Sequence, residues 1–539
     1  MSTRAEGSAR PGSVEFWAEH KPDERALCES ARALSWRAWN DAANRIAEVL
    51  SSLGNVGPDD RVAVCTQNRL EWFVSQAAIA KLGALLVPVS HRLTPAEIHY
   101  IVADCQARAF IFDAEDVDAM ARVWTDQPRS DVPSAVAVAI SVMRSHRVDV
   151  LSFAEVSQKG PIVTRVAKAS PRSIVYTSGT TGRPRGVIIG RERSARTREP
   201  AQQQPEQQRA EEQPPKPMPV QAARATGLER NLLGAPLNHA AGQASARATL
   251  AGGGCVYIMP RFDAEEALRV IASEKITMTF LVPTMLNRIV NLPKQVLAAY
   301  DVSSIRIITT GASPCPQPLK EKVIAYFGNH CLHESYGSTE VGLVSRMLPE
   351  DHLRKPGSCG RLLDSVSVRL VDADGREVPQ GSLGEIYVRT PLMITRYLNQ
   401  GIPGELVEGY FATGDVGRFD EEGFLYILDR KKDMIIAGGV NIYPAEIESA
   451  LREHPDVLDA AVFGIPHAEW GEEVKAVVEC IDGHTLGAEE LLLFVSDKLA
   501  GYKCPRSIDF VSEIPRNAAG KPLKAAMRAP YWQATGKAI

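Results

Sequence analysis

Residues 173–189 read SIVYTSGTTGRPRGVII. The opening SIVY has strand-forming side chains and runs straight into Thr, Ser and Gly. Gly179 and Gly182 let the backbone turn sharply. Successive N–H groups at such a turn, with the hydroxyls of Thr177, Ser178, Thr180 and Thr181, can cradle a polyphosphate. Arg185 adds a positive charge. The Walker pattern GxxxxGK[ST] is absent. Taken alone, the run is equally a Gly/Ser/Thr-rich surface turn.

The sequence before it alternates strand and helix patterns. RVAV (61–64), LLVPVS (85–90) and ARAFIFD (107–113) are short apolar strands. Between them, residues 66–84 have helical apolar spacing, and residues 94–105 read as a helix with Thr94 as N-cap and Pro95 at N1. This order predicts an α/β fold with a largely parallel sheet. Residues 191–226 are rich in Gln, Pro, Glu and Arg and nearly lack large apolar side chains. Such a segment buries too little surface to offset its ordering entropy and reads as a mobile loop.

After the loop the α/β pattern resumes. Strands are expected within 252–260 and 275–283, around a helix at 263–274 capped by Asp263. From about residue 366 the pattern shifts to short alternating strands joined by Asp-Gly and Glu-Gly turns, which predicts hairpins or a small β-barrel. From residue 431 a compact α+β block follows, long enough to form a small domain. Its helix 444–454 begins with Pro444 at N1. The expected division is therefore 1–430, with α/β subdomains and a small β-barrel, and a small mobile domain at 431–539.

Bulk properties set limits. The chain has 539 residues, 45% hydrophobic and 23% charged, with a net charge of -4. That length exceeds what one hydrophobic core usually carries. The mild acidity does not suggest a nucleic-acid partner. Nine dispersed cysteines without a CxxC pair argue against a disulfide framework and for the cytoplasm. The polar N-terminus has no signal-peptide pattern, and no run of about 20 apolar residues predicts a membrane span. Peripheral membrane contact stays open. The 11 histidines show no transition-metal spacing.

Further motifs join the phosphate loop. HESYGSTEVG (333–342), TTGASPCP (309–316), GAPLNHAAG (234–242), residues 409–448 and IPRNAAGKPLKAAMR (514–528) stand apart in the chain. Together with 173–189 they resemble, in order, the motifs of the adenylate-forming superfamily, which holds acyl-CoA synthetases, peptide-synthetase adenylation domains and firefly-type luciferases. The similarity runs from about residue 35 to 525. It is nearest to bacterial fatty-acid–CoA and aryl-acid–CoA ligases. Two departures stand out: the family's usual Lys is Arg185 here, and IIGRERSARTRE replaces its usual step into a helix.

The resemblance implies ATP and Mg²⁺, with CoA as co-substrate, and a carboxylic acid, a fatty acid before an aryl acid. It implies that residues 177–182 and Arg185 contact phosphates. Gly311, Ala312 and Ser313 would lie along the nucleotide. Tyr336 would stack on adenine beside Gly337, Thr339 would bond a phosphate or the adenylate, and Glu340 would bind Mg²⁺. Asp415 and Arg430 would hold ribose or phosphate. His239 and Gly242 would border the acid. Lys432 would be a hinge, Gly438 and Gly439 would line the pantetheine path of CoA, and Lys521 would stabilise charge during adenylation, with Thr339 and Glu340 as its catalytic companions. The Pro-Arg-x-x-x-Gly-Lys frame selects Lys521 over Lys524. The alternatives are an enzyme that loads a carrier-protein thiol and a degenerate nucleotide- or acyl-binding relative.

Overall fold

The computed structural model describes residues 9–114, 120, 136–143, 150–167, 171–177, 184–190, 229–401, 403–438, 440–481, 483–484, 486–517 and 521–533. The segment 191–226 lies outside the described residues. The chain divides into two compact units. One comprises Met1–Tyr176, Ile188–Asn231 and Ala244–Ile258, and the other Thr177–Val187, Leu232–Gln243 and Met259–Ile539.

In the first unit, strands Val150–Ser152, Val138–Ser141, Ala109–Phe112, Arg61–Cys65, Leu85–Pro88 and Arg172–Thr177 lie side by side in that order, all parallel. Ala109–Phe112 and Leu85–Pro88 are buried along their whole length, as expected of strands covered on both faces. The helix expected over 66–84 is shorter, Leu70–Leu82. Arg69 is extended at φ −147°, and the Leu70 N–H is taken by Glu29 Oε2 at 2.8 Å. A carboxylate from a distant strand thus fixes the first turn, which local spacing does not reveal. Gly83 ends the helix in the left-handed conformation, φ 71°. The helix Pro95–Asp104 has the expected Thr94 cap, completed by Glu97 into a capping box.

The second unit begins its sheet with the parallel strands Met278–Phe280, Ile307–Gly311 and Leu332–Ser338. Gly342–Met347 and Arg361–Leu362 add antiparallel pairs. Asp263 caps the helix Ala264–Glu274 through the Glu266 N–H at 2.8 Å, as expected. Ser367–Val371, Gly384–Arg389, Tyr410–Phe419, Leu406–Val407 and Leu425–Arg430 form a separate antiparallel half-barrel sheet. The last block packs the helix Pro444–Arg452 and the hairpin Val457–His467/Gly471–Cys480 around Ile447, Leu451, Val462 and Val478. The fold is thus mixed α/β with a large N-terminal part and a small α+β C-terminal part.

Beneath the strand Leu332–Ser338 lies a buried ion pair. Lys320 Nζ is 2.5 Å from Glu334 Oε2, with the two side chains 1% and 9% exposed. The ammonium also donates to the Ser358 carbonyl at 3.2 Å. Removing one partner strands the other charge in a low-dielectric interior. Lys320→Met should therefore lower unfolding free energy by about 3–5 kcal/mol in urea titration. Lys320→Met with Glu334→Gln should recover most of that loss, and a harmless single variant would refute the argument.

Candidate active site

The parallel strands of the second unit end where the chemistry-bearing residues collect. Gly311 pairs with Ser335, so TTGAS and ESYGS leave the sheet side by side. Ligands favour this carboxyl end of open α/β sheets. A Cβ on Gly311 would come within 2.5 Å of the Ser335 carbonyl oxygen, so only glycine fits. The next residue, Ala312, has φ 67°, a left-handed conformation unusual for a side-chain-bearing residue. Gly337 likewise has no room for a Cβ against Gly342.

Tyr336 reaches across to the half-barrel sheet, where its hydroxyl donates to Asp415 Oδ2 at 2.7 Å. Burial and the Asp415 charge push the phenol well above its ordinary range, so it remains a donor. Asp415 is 8% exposed and sits opposite Arg430 across the strand pair Tyr410–Phe419/Leu425–Arg430. Arg430 Nε lies 3.2 Å from Asp415 Oδ1, and the Thr413 hydroxyl accepts from the Asp415 N–H at 3.1 Å. A carboxylate has room for about four acceptor contacts, so these partners leave capacity for sugar hydroxyls.

Lys521 belongs to this cluster. Burial first, and then Arg430, push its ammonium down to about 8; Lys432 acts in the same direction, while Asp415 and Asp433 partly offset it. Its loop is closed by reciprocal bonds at 2.9 Å, Lys521 N–H to Asn517 Oδ1 and Asn517 N–H to the Lys521 carbonyl. Lys524, the competing lysine, is bound to Glu448 Oε1 at 2.7 Å. Lys521 therefore feels the charges of Arg430 and Asp415, and Asp415 in turn holds Tyr336 and Arg430.

At the other end, the Thr177 hydroxyl donates to Glu340 Oε1 at 3.0 Å. Thr339 and Glu340 are half-buried in the turn after the strand. A hydroxyl beside a single carboxylate offers hard oxygen donors, which suits Mg²⁺ shared with phosphates. Arg185, expected to contact phosphates, already has partners within the protein. Its guanidinium pairs with Glu405 at 3.0 Å and lies 4.9 Å from the centre of the Tyr397 ring. Ser178, Gly179, Thr180, Thr181 and Gly182 lie outside the described residues.

His239 immediately precedes the helix Ala240–Ala251, within 3.3 Å of Asn238 Nδ2. Close by in the chain, Ala235 packs with Phe280 and Val282, joined by Ala241 and Met285, into an apolar cluster. Gly242 is required because a Cβ would meet the Pro236 carbonyl oxygen at 2.7 Å. Ser313 is half-buried beyond Ala312. Gly438 adopts φ 57° and donates its N–H to the Trp470 carbonyl at 2.8 Å; Lys432 is exposed, and Gly439 lies outside the described residues.

Sequence reading missed several neighbours. Thr413 lies within the motif at 409–448, two residues before Asp415, and could have been found there. Tyr397 and Glu405 carried no signal, since only tertiary folding brings them to Arg185.

The family model for the AMP-binding enzyme matches residues 14–398, and that for the AMP-binding enzyme C-terminal domain matches 446–521. The chain belongs to the AMP-binding enzyme family. It is 34% identical to the indoleacetate–CoA ligase of Aromatoleum aromaticum, over 94% of this chain and 95% of the relative. It is 30% identical to the fatty acid–[acyl-carrier-protein] ligase ScoC of Streptomyces coeruleorubidus, over 96% of each. The solved structure of ATP-bound MatB from Rhodopseudomonas palustris superposes with a TM-score of 0.78 at 26% identity, over 97% of this chain and 100% of that one. This family member is an AMP-forming acid–thiol ligase of the acyl-CoA synthetase type, and such ligases use ATP, Mg²⁺ and CoA. Among the described residues no helix is long and apolar enough to cross a membrane.

Because burial and Arg430 lower the Lys521 ammonium to about 8, its neutral amine becomes available well below the range of an ordinary lysine. Competitive acetylation followed by peptide mass spectrometry should give Lys521 a labelling midpoint near pH 8. A midpoint near 10 would show that burial and the Arg430 charge do not depress the ammonium.

Proposed function

We propose that this enzyme activates an apolar monocarboxylic acid, with fatty acids first, as an acyl-adenylate and passes the acyl group to CoA. The Asp415 carboxylate held by Tyr336 and Arg430, with Lys521 in reach of the Arg430 and Asp415 charges, carries the reading. The apolar cluster around Ala235, Phe280 and Val282 near His239 in the chain supports an apolar acid.

In the first step a carboxylate oxygen attacks the α-phosphorus of ATP, and pyrophosphate leaves. Like-charged reactants need charge neutralisation and positioning above all. Lys521 places an ammonium beside the reacting oxygens. Asp415 accepts from the ribose hydroxyls, with Arg430 and Tyr336 fixing its carboxylate. Tyr336 and Gly337 flank the adenine, and the backbone at Gly311–Ser313 lies along the nucleotide. Thr339 bonds the phosphate. The 177–182 segment, by its sequence, cradles the β- and γ-phosphates, and Arg185 adds charge once drawn from Glu405. Glu340, supported by Thr177, would hold Mg²⁺, which supplies Lewis-acid neutralisation of the phosphate oxygens.

In the second step the thiol sulfur attacks the acyl carbonyl, its proton passes to solvent, and AMP leaves. The amine of Lys521 has no role there. Residues 1–430 and 431–539 act as two functional parts, and the second pivots at Lys432 so that Gly438 and Gly439 approach the thiol arm. His239 and Gly242 border the acid.

Two observations favour close variants of this reading. The indoleacetate–CoA ligase relative makes an aryl acid the second substrate class. ScoC makes a carrier protein the second acceptor.

Pyrophosphate release across fatty and aryl acids, with and without CoA, tests the proposal. Acid-dependent release with acyl-CoA formation is expected, and silence across the panel would sink it. Lys521→Ala should lower adenylation by roughly 100-fold or more while sparing CoA-dependent cleavage of supplied acyl-AMP. Equal loss of both half-reactions would rule out that division of labour. Adenylation should also decline as pH rises through about 8, where Lys521 loses its charge, and Lys521→Ala should abolish that limb.

A further inference from the structure

Asp429 lies next to Arg430 at the end of the strand Leu425–Arg430. Its carboxylate bonds in two directions. Oδ1 accepts from the Arg430 N–H at 2.7 Å, on the strand that supports Asp415. Oδ2 accepts from the Ala445 N–H at 2.8 Å, in the first turn of the helix Pro444–Arg452. The helix has no cap from its own N-cap residue, Tyr443. Asp429 supplies one from another element, favourably placed at the positive end of the helix dipole.

The same helix seats the segment that bears Lys521. Its Glu448 binds Lys524 at 2.7 Å. Burial alone would push the Lys524 ammonium down, but Glu448 and then Asp429 hold it protonated. Lys524 follows Lys521 closely, and the Leu523 N–H donates to the Pro515 carbonyl at 2.8 Å. The neighbouring Arg516 pairs with Asp459, which also binds Arg452 of that helix at 2.6 Å. The Lys521 loop, the helix and Asp429 are therefore one connected set of bonds.

We infer that Asp429 is a positioning residue that holds Lys521 beside Asp415 and Arg430 for adenylation, by capping the helix Pro444–Arg452, whose Glu448 binds Lys524. The inference rests on the proposed two-step reading. A pivot at Lys432 keeps Asp429 with Arg430 but carries Ala445 and Lys524 away. The contact then exists only in the arrangement used for the first step. Its loss should slow adenylation while leaving thiol transfer intact.

The test uses the full chain with Asp429→Asn, which keeps the shape and removes the charge. Acid-dependent pyrophosphate–ATP exchange should fall roughly 10- to 100-fold, the scale of a misplaced catalytic group. CoA-dependent cleavage of supplied acyl-AMP should stay within about twofold of the parent, as a purely structural defect would not allow. Trypsin, without any substrate, should cut faster after Lys431 or Lys432. Parent-like exchange, a parallel fall of both half-reactions, or unchanged cleavage would overturn the inference. If Asp429→Asn does not fold, Lys524→Gln should show the same split, and unchanged exchange there is equally decisive. If the parent forms no adenylate from any acid, the proposed function fails, and the cleavage comparison still decides the positioning role.

Discussion

Asp415 carries a carboxylate into a place where only 8% of the residue meets solvent. An isolated charge there would cost far more than a folded protein can spare, so its partners are a condition of the site's existence. Tyr336 arrives from the end of a parallel strand, and Arg430 from across an antiparallel pair. The single carboxylate thereby ties the three-stranded parallel ladder to the half-barrel sheet. Lys521 approaches the same cluster, and the positive charge of Arg430 helps depress its ammonium. Removing Asp415 would leave two cations close together with less to balance them.

Charge is handled differently in each part of the second unit. Lys320 and Glu334 neutralise each other out of water and support the motif strand. Arg185 is sheltered between Glu405 and Tyr397, which gives a guanidinium both a planar acceptor and an aromatic face. Glu448, Arg452, Asp459 and Lys524 knit the C-terminal part together. Such pairs contribute little when exposed, but buried pairs restrict which arrangements of the backbone are tolerable. A two-step enzyme gains from that restriction, because bonds between neighbouring elements can be made in one arrangement and released in another.

Much of the local structure was legible in the sequence because short-range chemistry sets it. Thr94 and Asp263 cap their helices as their positions imply. Pro444 opens its helix as its position implies. The helix over 66–84 was read too long because its start depends on Glu29, about 40 residues away. The Glu405 and Tyr397 partners of Arg185 could not be read from the sequence, because they are over 200 residues downstream.

The sequence by itself determined the fold class through periodicity and capping, and the family through the resemblance of its contiguous motifs, which also nominates the candidate residues. It could also single out Lys521 within its frame. Only the tertiary structure decided which charges meet. The Asp415–Tyr336–Arg430 cluster, the depressed Lys521 and the Asp429 bridge all join residues from separate elements. Their energies depend on burial and distance, and neither is a property of neighbouring letters in a chain.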